Sequence, residues 1–315
     1  MKLSKLITQY IDLKQSMGSR FHTESVILKA FFKAMGDIDI AEVQAERVLD
    51  YISGTGPVTR FWHRKHEALR GFYRFAIGRR YVTQSPLPKT LPRPSRRFTP
   101  YIYSSEELCR LLKAAGQFGT SRTKLQAPTI HTLLLLLYGA GLRISEALSL
   151  KPQDVDLTNS LLTIHESKFY KTRLVPIGSR LTDVLIAYAK EHSRSGHPNN
   201  AATAFFVTRT GEPVKLLTTE RAFCCIRKVA NVYRNDGARY QPRLHDLRHT
   251  FAVHRLVAWY RQGADVQRLL PLLSTYLGHI HIAATQQYLT MTSELLRQAS
   301  IRFENYAWPK EVHHD

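Results

Sequence analysis

The chain has 315 residues, 43% of them hydrophobic, with 45 Lys and Arg against 25 Asp and Glu and a formal net charge of +20. That is enough for two cored domains and excludes wholesale disorder; the longest apolar run, Leu133 to Tyr138, falls far short of the ~18 residues of a membrane span. Three cysteines (Cys109, Cys224 and Cys225) without C-x-x-C spacing exclude a disulfide framework or zinc ribbon, and the charged N-terminus does not read as a signal peptide, so a reduced, cytoplasmic protein is expected, with no membrane partner.

The first hundred residues hold 18 basic and 8 acidic side chains, half of the chain's positive excess, which points to a polyanion such as nucleic acid. Apolar residues at three- and four-residue spacing predict helices over 3–17, 22–35 and 40–52. After the breaker at 54–57 comes a fourth helix, in which Phe61, Ala68, Leu69, Phe72 and Phe75 form a core stripe. Arg60, Arg64, Glu67, Arg70 and Arg74 form a second stripe, either a solvated face or, with Lys65, a DNA-backbone contact.

Five of the chain's 14 prolines fall in SPLPKTLPRPSRRFTP, Ser85 to Pro100, together with Arg93, Arg96 and Arg97. Such proline density stops regular structure and predicts an extended basic tether able to follow a phosphate backbone. The expected division is a helical DNA-binding domain over 1–88, a linker over 89–101 and a second domain over 102–315.

Beyond the seam, Ser104 and Glu107 stand at capping-box spacing, and a long apolar helix ends at Gly139–Gly141. LLTIH and RLVPI, joined by ESKFYKT, read as a β-hairpin, and helical patterning resumes from Leu181. The fold class is mainly α with a small antiparallel β-sheet.

Four fragments carry candidate chemistry: YGAGLRISEALSL with Arg143, SKFYKTRLVPIG with Lys168, HDLRHTFA with His245 and Arg248, and YLGHIHIAATQQYLT with His279 and Tyr288. Taken singly, each fits a surface ion pair, a packed histidine or a core tyrosine. Taken together, two arginines offer forked donors to one phosphate, histidines move protons near neutral pH, and a tyrosine supplies an oxygen nucleophile. A phenol with pKa near ~10 needs neighbouring positive charge to ionise. A zinc reading of His245–Asp246–His249, echoing H-E-x-x-H, is the rival; it substitutes aspartate for glutamate and puts a cation, Arg248, beside the metal.

This ordered set, from about Tyr101 to Glu304, resembles the tyrosine recombinase, or phage integrase, family, in its Xer-like and mobile-element form. The resemblance implies a core-binding domain followed by a catalytic domain. It makes Tyr288 the nucleophile, Arg143 and Arg248 the phosphate clamp, and Lys168 the proton donor to the leaving 5′ oxygen. His245 takes an acid–base position next to the tyrosine, and His279 hydrogen-bonds the phosphate. The family's hairpin lysine is often flanked by glycine, whereas Phe169 and Tyr170 stand here, so Lys171 rivals Lys168. His249, about 100° round the helix from Arg248, reads as a packing or supporting residue. The resemblance further implies DNA recombination sites as partners, a homotetramer with a dimer on each site, and no metal or other cofactor. The amphipathic stretch 292–308 either docks on a neighbouring protomer or packs on its own domain. A type IB-like topoisomerase and a catalytically silent DNA-binding regulator are the competing functions.

Overall fold

A computed structural model describes residues 1–93, 99–120, 123–167, 171–194, 204–238 and 240–307. The chain divides into two compact units, Met1–Phe98 and Thr99–Asp315.

The first unit contains helices α1 (Leu3–Ser16), α2 (His22–Met35), α3 (Ala45–Ser53) and α4 (Arg60–Gly78). The helix expected over 40–52 is broken: Ile40–Glu42 forms a 3₁₀ turn capped by Asp39, and Val43 and Gln44 are extended before α3 begins. The break lets Val43 and Ile52, nine residues apart and so on opposite sides of a continuous helix, both enter the core together with Ile40 and Val48. Helix α4 starts at the Thr59 cap, whose hydroxyl accepts from the Phe61 amide. It buries Trp62, His66, Leu69, Phe72, Tyr73 and Ala76 against α1 and α2. Phe61, expected in that stripe, is instead 53% exposed, and Phe75 is half-buried; Trp62 fills the register that Phe61 was expected to hold.

The second unit opens with α5 (Ser105–Gly116), where Ser104 and Glu107 form the expected capping box. Next come α6 (Ala127–Gly139), the five-residue α7 (Ile144–Leu148), and strands β1 (Val155–Asp156), β2 (Leu161–Ser167) and β3 (Lys171–Pro176). The sheet is antiparallel in the order β1-β2-β3; the short β1 has no counterpart in the sequence reading. Helices α8 (Ser179–Arg194), α9 (Leu216–Val229), α10 (Leu244–Arg261), α11 (Val266–Leu277), α12 (Ala283–Gln286) and α13 (Ser293–Ala307) complete it, with a 3₁₀ turn at Gln287–Thr290.

Helix α6 is the spine of the unit's larger core, burying Ile130, Leu133, Leu134, Leu136 and Leu137. A second apolar cluster joins Phe251, Leu256, Leu273, Leu277, Tyr288 and Leu295. Helix α10 contributes to both clusters, and the polar site forms along it. Helix α13 packs on α10 of its own chain through Leu295, with Arg261 paired to Glu294 and Arg302 donating to the Ala264 carbonyl. Its Leu296, Ile301 and Phe303 stay exposed. Among the described residues, no helix is long and apolar enough to cross a membrane.

Candidate active site

The site is organised by one buried carboxylate. Glu146 occupies the first turn of α7, three residues after Arg143, and reaches back to accept from the Arg143 amide at 3.0 Å. Its Oε1 takes the Arg143 Nη1 at 2.6 Å and the Arg173 Nη1 at 3.0 Å; its Oε2 takes the Arg173 Nη2 at 2.8 Å. The Arg248 guanidinium lies 3.9 Å from Oε2. Burial alone would raise this carboxyl, but the Arg173 fork, by hydrogen bond and charge, and then Arg143, bring it down to about 2.

Arg173 reaches the interior through strand register. It lies opposite Ile164 in the β2–β3 ladder, and opposed residues share a face. Ile164 faces the core, so Arg173 does too, while its neighbour Leu174 is exposed.

Arg248 is 2% exposed, on the face of α10 turned toward α6 and α11. Its Nη1 donates to the Gly141 carbonyl at 2.7 Å and its Nη2 to the Leu277 carbonyl at 2.5 Å. Burial and the nearby charge of Arg143 lower its pKa to about 10, still protonated at neutral pH. Two glycines make these carbonyls available. Gly141 has φ +60, and a Cβ there would stand 2.4 Å from the Phe251 ring. Gly278, in the left-handed position closing α11, has φ +66; a Cβ would meet the Arg173 guanidinium at 2.9 Å, and its carbonyl accepts from Arg143 Nη2 at 3.1 Å. The two glycines of the GAGLR and LGH fragments therefore seat the arginines directly.

Tyr288 sits in the 3₁₀ turn before α13 and is 1% exposed. Its hydroxyl is 3.1 Å from the Nδ1 of His249. Burial raises its pKa; Arg248 and Arg143 oppose this without cancelling it. Positive neighbours were expected to favour ionisation, and they do pull that way, but desolvation wins and the resting phenol keeps its proton.

Three imidazoles surround that phenol. His279 stacks on it, with centroids 6.1 Å apart and planes at 28°, and its Nδ1 is 2.7 Å from the buried Thr285 hydroxyl. Burial, then the charges of Arg248, Arg143 and Arg173, lower its pKa to about 4. His249 is pushed lower, to about 3, by burial and then by His245, Arg248 and Arg243. His245 is exposed to solvent and meets the His249 ring edge-on at 4.8 Å. Crowding around its ring and the charge of Arg248 lower its pKa as well. The zinc echo fails on geometry: Asp246 is fully buried, capping α10 through the Arg243 amide at 2.9 Å, and His249 Nδ1 is taken up by the Tyr288 hydroxyl.

Arg143, His245, Arg248, His279 and Tyr288 are thus brought together. Lys168 lies outside the described residues, as do Arg96 and Arg97; the rival Lys171 opens β3. In the first unit Arg60, Arg64, Arg70 and Arg74 are exposed along α4, and Arg93 is exposed beyond it. Lys65 turns inward: its ammonium donates to the Tyr51 carbonyl at 2.6 Å and lies 4.5 Å from the centre of the Tyr51 ring, which separates it from the outward-facing basic stripe. Sequence reasoning missed Arg173 and gave His249 only a supporting part. Strand alternation in KTRLVP held the signal for the first; for the second, nothing in the sequence says which face of α10 the tyrosine approaches.

Residues 103–294 match the phage integrase family. A Sinorhizobium fredii protein named as an integrase/recombinase, y4rE, is 34% identical over 301 residues, covering 95% of each chain. The tyrosine recombinase XerC of Bacillus pumilus is 28% identical over 94% of each. Among solved structures, the Tn1549 transposon integrase in complex with transposon right end DNA superposes with a TM-score of 0.72 at 15% identity, covering 98% of this chain and 100% of that one, and so shares the fold. The chain belongs to the phage integrase family of tyrosine recombinases.

Proposed function

We propose that this recombinase cuts and rejoins double-stranded DNA at specific sites through a covalent 3′-phosphotyrosyl intermediate. The observation that carries the reading is the convergence of Arg143 and Arg248 on one carboxylate beside the Tyr288 hydroxyl. A scissile phosphate entering from the open side, where Arg143, His245 and His279 reach solvent, meets two fixed guanidiniums. They offset the charge that grows on its non-bridging oxygens as the phosphorus becomes five-coordinate.

In this reading the Tyr288 oxygen bonds to phosphorus, the bond to the 5′ oxygen breaks, and the hairpin lysine, Lys168 or its rival Lys171, protonates that oxygen. His245 takes the acid–base position that receives the phenolic proton, and His279 donates a hydrogen bond to the phosphate. The 5′ hydroxyl of a second strand then displaces the tyrosine and reseals the backbone. The phosphotyrosyl ester conserves the linkage energy, so no nucleotide cofactor is used, and the guanidiniums supply the electrostatic work. The first unit, residues 1–88, and the tether, 89–101, bind DNA, and residues 102–315 carry out the catalysis. Strand exchange between two sites takes four protomers, one dimer on each site. The partner is chromosomal or mobile-element DNA in the cytoplasm.

The test is a suicide substrate nicked near the cleavage point. Wild-type protein is expected to accumulate covalent adduct, and Tyr288→Phe to form none; adduct in the variant removes the assignment. A silent regulator would form no adduct in either. Exchange between two duplexes, rather than relaxation of supercoils alone, separates a recombinase from a topoisomerase.

A further inference from the structure

The family reading leaves the phenolic proton of Tyr288 to His245, but the geometry hands it elsewhere. His245 is solvent-exposed and touches Tyr288 only by way of the His249 ring. His249 Nδ1 lies 3.1 Å from the tyrosine hydroxyl. The charge of Arg248 and Arg143 favours loss of the phenolic proton. In the His249 tautomer with its proton on Nε2, Nδ1 is free to accept that proton across the contact.

We propose that His249 is the base of the cleavage step, accepting the phenolic proton of Tyr288 as the tyrosine oxygen attacks phosphorus. This rests on Tyr288 being the nucleophile. The Tyr288 O–H bond breaks as the O–P bond forms, the proton moves to Nδ1, and the bond to the 5′ oxygen breaks with a proton from the leaving-group donor. On resealing, the attacking 5′ hydroxyl returns its proton to the now deprotonated leaving-group donor and the departing tyrosine oxygen retrieves one from His249 Nδ1, so each round ends as it began.

The surroundings of His249 suit the task. His245, Arg248, Arg243, His279 and Tyr288 face it, and in the free protein it is neutral, the state a base must start in. The negative charge of a bound phosphodiester offsets Arg248 and raises the imidazole's proton affinity when the proton has to move. His249 is held by the same helix as Arg248, one residue on, so the clamp and the base are fixed by a single rigid element.

The experiment measures the first-order rate of adduct formation on the suicide substrate, with DNA affinity in parallel. Asparagine keeps a hydrogen-bond acceptor near the position of Nδ1 but carries no basic nitrogen. His249→Phe and His249→Asn are both expected to slow adduct formation by about 100-fold or more, with affinity changed by less than about threefold, because an amide oxygen cannot take up the phenolic proton. A substrate with sulfur at the bridging 5′ position needs no proton on its leaving group; the His249→Phe defect should persist on it. Wild-type rates in His249→Phe, near-wild-type rates in His249→Asn, or rescue by the sulfur substrate would each overturn the proposal. Absence of adduct in the wild type, or its presence in Tyr288→Phe, would instead strike the assignment of the nucleophile.

Discussion

In the second unit, Arg143, Arg173 and Arg248 close on one buried carboxylate, and all three also donate to backbone carbonyls. In the first unit, Arg60, Arg64, Arg70 and Arg74 line an exposed helix face, where the described ion pair is Arg70 with Glu67, both 54% exposed. The same side chain is used in two physical regimes. The buried arginines have lost their conformational freedom and most of their hydration during folding, so a phosphate that replaces water at their open edge costs little further reorganisation. The exposed ones remain mobile and screened; the Arg70 pair is worth about 0–1 kcal/mol, and their use is collective. Under the proposed function, chemistry falls to the first regime and general DNA affinity to the second.

The sharpest way to break this contrast is to remove a buried arginine. Arg248→Ala is expected to lower the rate of adduct formation by about 10²–10³-fold or more, since it deletes a phosphate donor and the positive charge that favours ionisation of Tyr288 together. Single-turnover cleavage at saturating protein measures it. A drop in affinity with an unchanged rate would place Arg248 among the general DNA contacts.

Glu146 comes next, because it holds the guanidiniums in place. Glu146→Gln leaves Arg143 and Arg173 facing each other without a countercharge, and is expected to destabilise the fold by about 3 kcal/mol. The pH dependence has a definite sign. The folded carboxyl titrates at about 2, below its ordinary value of 4.5. Its contribution is therefore complete above pH ~4.5 and disappears as pH falls toward 2. Thermal midpoints of wild type and variant should differ most near neutrality and converge in acid. A constant offset across that range would show that packing, not charge, sets the role of Glu146.

Gly141→Ala tests the backbone under the clamp. The residue has φ +60 and a Cβ would sit 2.4 Å from the Phe251 ring, so a loss of about 1–3 kcal/mol is expected from strain and overpacking. Pairing it with Phe251→Leu should recover part of the loss in chemical denaturation, leaving the cost of the positive φ. Full additivity of the two changes would mean the ring and the glycine are not coupled.

Much of this arrangement was legible in the residues themselves. The capping box at Ser104, the hairpin, the apolar α6 and the residues brought around Tyr288 all follow from local spacing or ordered fragments. What stayed hidden depends on long-range placement. Alternation in KTRLVP puts Arg173 on the face of the buried Val175, but nothing local names Glu146 as its partner. His249 looks like packing until the turn at 287–290 delivers Tyr288 to its Nδ1. Lys65 reads as one more member of a basic stripe, because nothing local announces that the Tyr51 carbonyl lies 2.6 Å away. Phe61 failed for a simpler reason: two adjacent aromatics compete for one helical face, and the larger Trp62 is the one buried.

The smallest effects are expected on α4, and their form matters more than their size. Arg64 and Arg74 are exposed. If they meet DNA phosphates as mobile charges, Arg64→Gln and Arg74→Gln should each weaken binding modestly and equally for target and unrelated duplexes. Each should also reduce the slope of log affinity against log salt by about 1, through loss of one counterion-releasing contact. Lys65→Gln is the internal control. Its ammonium is already engaged by the Tyr51 carbonyl, so the salt slope should stay unchanged while the thermal midpoint falls. A salt-slope change for Lys65 equal to that of Arg64 would mean the inward contact gives way to DNA, and the division between committed and mobile cations would not hold within this helix. A site-selective loss in Arg64→Gln or Arg74→Gln would cut the other way, because only a base-edge contact, held in fixed geometry, discriminates between sequences.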